Sequence, residues 1–419
     1  MSFANAGDEL SLAIMCLMRM RLLLRRDGAL HRLSVSIATH GAVDSASAKA
    51  ACGVGMSSDA RADRLPIWTV AAPAAAWVVY GVYLILGGWM TPVLVAALFA
   101  SVLAAVHHAE VIAHRVGEPF GTLLFAVAVT VIEVGLIVSL MIEGGEAAMT
   151  LPRDTVMAAI MIILNGVVGA CLLMGGLRHG EQSYVQNGVS AALATLAALS
   201  VIVLVLPNFV TSMPGPFYTM SQLVFVGAVS LVLYATFVLV QTVRHRDYFL
   251  PEDDVIAGDE THHAAPPSIP VSLISGGLLL VSLGAVVWLA KTLAPTVESI
   301  VISSGLQVAV VGVVVAGLVL LPEGLAAVRA ARANRLQTSL NLALGSALAT
   351  IGLTIPVVAG LAVAFQWQLV LGLSPTNMVL LLLTLLVATL SLSTGRTTVM
   401  QGALHIVLFA VFLFMLIVP

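Results

Sequence analysis

Charged residues make up only 9% of this 419-residue chain. Soluble domains carry roughly 25%, so a water-soluble globule of this size could not cover its surface. Cysteine is nearly absent. Cys16, Cys52 and Cys171 are scattered, with no CxxC or CxH spacing, which argues against a disulfide framework and a zinc site. No HExxH, GxSxG or P-loop pattern is present, so the chain does not read as an enzyme of those classes. Disorder is excluded because disordered chains are poor in apolar residues. Here 60% are hydrophobic and the mean hydropathy is +1.06. The strict alternation of a membrane β-barrel is missing too. What remains is an all-α polytopic membrane protein.

A membrane helix needs about 20 mostly apolar residues. Eleven stretches qualify, at about 67–87, 91–113, 119–142, 155–176, 187–206, 219–242, 271–290, 303–328, 338–364, 376–392 and 399–418. Pro, Gly or charge bounds most of them, as at Pro119, Pro207 and Pro375. Alternating from a cytoplasmic N-terminus puts Arg115, Arg178, Arg244, Arg246, Arg329, Arg332, Arg335 and Arg396 on the inner side. The N-terminal tail adds Arg19, Arg21, Arg25, Arg26, Arg32, Lys49, Arg61 and Arg64. Only Arg153 and Lys291 fall outside, so 16 of the 18 basic residues share one side. The positive-inside rule therefore predicts N-terminus in and C-terminus out.

Residues 1–65 read as a disordered or interfacial cytoplasmic tail. The run Leu10 to Leu24 is too short to span and is interrupted by Arg19 and Arg21. Met56 is an alternative natural start, because MSSDARADRLP forms a short polar lead into the first span; N-terminal sequencing of untagged protein decides this. Residues 244–270 form an acidic, proline-rich linker expected on the cytoplasmic side. It divides the chain into 66–243, the first span plus five more, and 271–419, a second set of five. An odd number of spans forces the two five-helix sets into opposite orientations, the inverted-repeat plan of many transporters.

Acidic residues follow that symmetry. Glu110 is followed 23 residues later by Glu133, and Glu298 is followed 25 residues later by Glu323. Glu133 and Glu323 each lie well inside an apolar helix, whereas Glu110 and Glu298 lie near helix ends. A lone charge at the bilayer centre costs at least ~2.5–3.5 kcal/mol, and ionisable residues there are functional by default. No Lys or Arg lies deep in any span to pair with them. The alternative is a protonated, hydrogen-bonded packing residue. Ionised, two facing carboxylates offer hard oxygen ligands for Ca2+, completed by backbone carbonyls, amides and waters. Protonated, they lose the cation. Pro322 and Gly324 flank Glu323 and are expected to break its helix, freeing carbonyls. Asn165 in ILNGVVGA and Ser346 in LALGSALAT supply neutral oxygens in the following helices, although Asn, Gly and Ser also serve plain helix packing.

These residues carry a resemblance. LPEGLAAVRAARANRLQTSLNLALGSALATIGLTIP resembles the second α-repeat of the calcium:cation antiporter superfamily, in its calcium/proton exchanger branch. HHAEVIAHRVGEPFGTLLFAVAVTVIEVGLI resembles the end of the preceding helix and the first α-repeat, and STGRTTVMQGALHIVLFAVFLF resembles the last two helices. Residues 66–419 as a whole are similar to the ChaA-type antiporters of bacteria. The resemblance implies eleven spans and a paired-glutamate site at Glu133 and Glu323, with Asn165 and Ser346 as supporting ligands. The sequence departs from the wider family's glycine–asparagine–x–x–glutamate motif: VTVI precedes Glu133 and VLLP precedes Glu323. ChaA-type proteins are also associated with sodium and potassium, so the choice among Ca2+, Na+ and K+ stays open.

Other polar residues have two readings each. Glu110 and Glu298 either line the ion pathway near its entrances or mark helix ends. His107, His108 and His114 either relay protons or sit at the interface as ordinary polar residues, and the second is favoured. His405 in the last span is either a proton-path residue or a packed neutral histidine, again with the second favoured. Glu252, Asp253, Asp254, Asp259 and Glu260 lack EF-hand spacing and read as a solvated linker. The expected protein is a secondary active Ca2+/H+ antiporter of the bacterial inner membrane, with Na+ or K+ exchange as the alternative and a channel behind both. Its expected partners are inorganic cations, protons and the bilayer, with no nucleic acid and no resident cofactor.

Overall fold

The fold is seen in a computed structural model that describes residues 65–117, 120–249, 267–304, 307 and 309–418. The N-terminal tail before Leu65, including Met56, and the acidic part of the linker lie outside the described residues. Among those described, eleven apolar helices follow one another. They are α1 (Ile67–Leu86), α2 (Thr91–Val116), α3 (Phe120–Gly144), α4 (Leu151–His179), α5 (Gln186–Asn208) and α6 (Met220–Arg244). After the linker come α7 (Ile269–Ser303), α8 (Ala309–Arg332), α9 (Leu336–Phe365), α10 (Pro375–Ser391) and α11 (Val399–Ile417). Ten are long and apolar enough to cross a membrane, and α10, with 17 residues, is the shorter apolar helix.

Helix is the only open form that satisfies every backbone N–H and C=O without water. The helix ends follow local chemistry. Proline occupies the first turn of α2, α4 and α10, where a missing N–H costs nothing. Capping boxes at Thr219–Gln222 and Thr398–Gln401 start α6 and α11. Gly87, Gly117 and Gly180, all at positive φ, end α1, α2 and α4.

Two expectations fail here. The seventh span was expected to stop at residue 290. Instead α7 runs on through Lys291 and Pro295 to Ser303. Lys291 does not end it because its ammonium, largely exposed, reaches Glu143 on α3 at 3.3 Å. The helix break expected at Pro322 and Gly324 is also absent, and α8 is continuous across both. A proline in a packed membrane helix withholds one N–H, here the usual partner of the Leu318 carbonyl, without ending the helix. Irregular turns lie elsewhere: Ile162–Val167 in α4, Val201–Val205 in α5 and Val240–Arg244 in α6 are π-helical.

Helices of the two halves interleave. The α7 helix packs on α1, α2 and α3, α8 packs on α4, and α11 packs on α4. The most enclosed helix is α4 and the least enclosed is α1. Every tie between loops joins loops that alternation places on the same side. On one face, strand β1 (Gln182–Ser183) pairs antiparallel with β2 (Arg396–Thr397). There Gln182 Nε2 also donates to Ala331 O at 3.0 Å, and Val185 N donates to Gln337 Oε1 at 2.7 Å. On the other face, Val370 N donates to Met149 O, Gly372 N to Pro216 O, and Arg153 Nη1 to Gly372 O. Arg115, Arg178, Arg244, Arg329, Arg332, Arg335 and Arg396 all fall at helix ends or loops of the β1–β2 face.

Glycine allows α11 to approach α4 at backbone distance. A Cβ on Gly402 would collide with the backbone nitrogen of Leu173, whereas one on exposed Gly277 would meet nothing within 4 Å. Gly402→Val is therefore expected to destabilise the protein by about 1–3 kcal/mol or more, and Gly277→Ala to leave it unchanged or slightly firmer. The thermal midpoint of the purified protein, followed by size-exclusion fluorescence, checks both.

Candidate functional site

The glutamate-bearing helices α3 and α8 pack on each other, and both pack on α4 and α9. This places Glu133 and Glu323 within electrostatic reach of one another. Glu133 is 2% exposed, and its Oε1 has no hydrogen-bond partner. Glu323 is only half-buried, and Ser346 Oγ donates to its Oε2 at 2.7 Å. Neither glutamate takes part in any ion pair among the described residues. No group of three or more His, Cys, Asp or Glu side chains stands together there. The site therefore holds two acids and otherwise neutral oxygens.

Those oxygens come from one stripe. Ser346, Thr350 and Thr354 recur at four-residue spacing on α9, so they share one helix face. The stripe rises about 12 Å at 1.5 Å per residue. At its first step Ser346 meets Glu323. At its upper steps Thr350 and Thr354 face Glu133. Thr354 is fully buried. Glu133 and Thr354 thus face one another at the enclosed end of the cluster. The other end is less enclosed, since Ser346 and Glu323 are only half-buried. An oxygen-lined cluster with two negative charges suits a hard cation, and carboxyl groups there are equally competent to hold protons.

The remaining candidates are placed elsewhere. Asn165 was expected as a ligand beside the glutamates. Its amide is instead committed to Thr384 Oγ1 at 2.8 Å and His405 Nδ1 at 3.0 Å. The π turn aims it at the last two helices rather than at α8. His107 is half-buried where α1 meets α2, its ring 5.8 Å from that of Trp68. His108 beside it lies 3.1 Å from the Thr69 carbonyl. Glu110 is exposed on α2. Glu298 lies in the last turns of α7, and its side chain is outside the described residues. His405 is fully buried and hydrogen-bonded, as favoured for a packed histidine. Sequence reasoning missed Thr354; the signal was present in the Ser346–Thr350–Thr354 spacing.

The model of the family described as sodium/calcium exchanger protein matches residues 86–243 and 274–418. The protein y4hA of Sinorhizobium fredii is 53% identical over 322 residues, covering 77% of this chain and 87% of that one. The sodium-potassium/proton antiporter ChaA of Escherichia coli is 39% identical over 316 residues, covering 75% and 85%. Among solved structures, the Ca2+/H+ antiporter YfkE is similar in fold, with a TM-score of 0.61 at 16% identity, covering 84% of this chain and 99% of that one.

Thr354→Val removes the hydroxyl that faces Glu133. Folding stability is expected to change by no more than about 1 kcal/mol, the net worth of one hydrogen bond. Cation affinity is expected to fall about tenfold, the lower range for shell residues of a metal site. Thermal unfolding and a cation titration of the same preparation separate the two effects.

Proposed function

The chain belongs to the sodium/calcium exchanger protein family, and from that premise we propose that it is a cation/proton antiporter working through Glu133 and Glu323. One observation carries this reading: Glu133 is buried with an unpartnered carboxyl oxygen, faces a second glutamate, and has no basic partner. An apolar interior tolerates such a group only when a cation or a proton neutralises it. The same two side chains therefore hold either cargo but not both.

In the proposed cycle, a cytoplasmic cation enters on the less enclosed side, past Ser346 and Glu323. It settles between the ionised carboxylates, with Thr350 and Thr354 adding hydroxyl oxygens. Rearrangement of the two oppositely oriented five-helix sets exposes the site on the other face. Protons there neutralise Glu133 and Glu323 and release the cation, and the protonated carrier returns. The basic residues gathered on the β1–β2 face support assigning that face to the cytoplasm. The bacterial relatives support an inner-membrane location.

Ca2+ is the lead cation, because two carboxylates balance a divalent charge and hydroxyl oxygens suit a hard ion. A second reading, exchange of Na+ or K+, is favoured by the 39% identity to a sodium-potassium/proton antiporter. In proteoliposomes, a pH gradient is expected to drive uptake of radiolabelled calcium, and Glu133→Gln and Glu323→Gln are each expected to reduce it to background. Uptake that persists in both variants, or that needs no proton gradient, overturns the mechanism. Stronger inhibition by Na+ or K+ than by unlabelled Ca2+ in the same assay establishes the second reading.

A further inference from the structure

Away from the glutamates, a buried four-residue chain of hydrogen bonds crosses the fold. Ser391 Oγ lies 2.8 Å from His405 Nε2, His405 Nδ1 lies 3.0 Å from Asn165 Oδ1, and Asn165 Nδ2 donates to Thr384 Oγ1 at 2.8 Å. Thr384 in turn donates to Met161 Sδ at 3.4 Å. Asn165 and His405 are fully buried, Thr384 is 1% exposed and Ser391 7%. An amide oxygen can only accept, so His405 Nδ1 carries the hydrogen. The chain joins three helices, α4, α10 and α11, across more than half the sequence.

Asn165 lies in the π turn of α4. A π turn widens the helix and breaks its regular hydrogen-bond ladder, so its shape must be held by its neighbours. This turn forms the wall behind Glu323. Val167 Cγ2 lies 3.1 Å from the Cβ position of Gly324, the residue after Glu323. Ile162 Cδ1 lies 3.9 Å from that of Gly317, two turns earlier on α8. On the opposite side the turn is clamped by α11. A Cβ on Gly169 would lie 2.9 Å from His405 Cβ, and one on Gly166 would lie 3.5 Å from the Phe409 ring. The bond between His405 and Asn165 is the directional contact in that clamp.

We propose that His405 is a positioning residue for the ion site: through Asn165 it holds the π turn of α4, and the π turn holds the Glu323 segment of α8 in register with Ser346. This explains why α10 and α11, which supply no oxygen to the glutamate cluster, close a fully satisfied polar network around the one irregular turn that touches α8. Outer groups that orient a ligand typically matter 10–100-fold in affinity. The proposal rests on the antiporter reading for its transport consequences but not for its structural ones.

Two measurements test it. In proteoliposomes, His405→Ala is expected to raise the half-saturating Ca2+ concentration about tenfold. The maximal rate should stay within about twofold, the pattern of a lost binding contact rather than a lost step. His405→Asn keeps an N–H near the Nδ1 position and is expected to recover most of the affinity. Asn165→Ala combined with His405→Ala is expected to be no worse than Asn165→Ala alone, because the two act through one bond. On purified protein without transport, amide hydrogen exchange of His405→Asn and His405→Ala is compared at residues 160–169 and 318–328. Faster exchange at both segments in His405→Ala, and wild-type exchange in His405→Asn, is expected. Independent, multiplying effects of the two alanine substitutions overturn the proposal. So does unchanged exchange at 318–328, or an affinity that His405→Asn fails to recover. If His405→Ala does not fold, Ser391→Ala and His405→Asn carry the same comparisons. If the wild type exchanges no cation for protons, the antiporter reading fails while the hydrogen-exchange result still decides the positioning role.

Discussion

A carboxylate without a basic partner in an apolar interior is the constraint around which this molecule is organised. Glu133 is buried, one of its oxygens is unpartnered, and its charged neighbour is another glutamate. A folded protein normally removes such a group by pairing it with Lys or Arg. Here the surrounding helices bring hydroxyls instead: Ser346, Thr350 and Thr354 add oxygens without adding positive charge, and the proposed function assigns neutralisation to a transported cation or proton. A lysine at any of these positions would satisfy the electrostatics and remove that need.

The rest of the fold keeps this arrangement rigid where it must be and open where it can be. Glycines at the α4–α11 contact let backbones approach closely, which is how membrane helices gain packing without a hydrophobic driving force between them. Interleaving of the two halves places α3, α4, α8 and α9 at the centre. Loops on each face are tied to one another, at the β1–β2 pair on one side and around Val370–Leu373 on the other. Between these two sets of ties, the cluster is enclosed at Glu133 and Thr354 and only half-buried at Ser346 and Glu323. The irregular backbone of α4 is where the last two helices grip the core.

Much of this was legible in the chain itself. The helices begin and end within a few residues of the hydropathy boundaries in most cases, since solubility in lipid is a property of a local stretch. The exception was α7, where Lys291 looked like a boundary; a distant partner, Glu143, makes it tolerable within the helix. Pro322 was read as a break because proline breaks isolated helices, yet packing against α4 keeps α8 continuous. Asn165 was read as a supporting ligand from its residue type and from the family resemblance. In the structure its amide bonds Thr384 and His405, 219 and 240 residues away, and no local pattern announces them. Thr354 was overlooked because a threonine in a long apolar helix usually bonds its own backbone.

By itself the sequence determined the class, the number of helices, and the two acids that stand apart. Each of these is written in local composition: nine residues in a hundred are charged, and two of the acids lie deep in apolar runs. Only the tertiary structure decided which neutral oxygens reach those acids. It also decided that α8 stays unbroken, and that the π turn of α4 is held from α11. Those outcomes depend on register between helices far apart in the chain, and register is set by packing of whole faces rather than by any single stretch of residues.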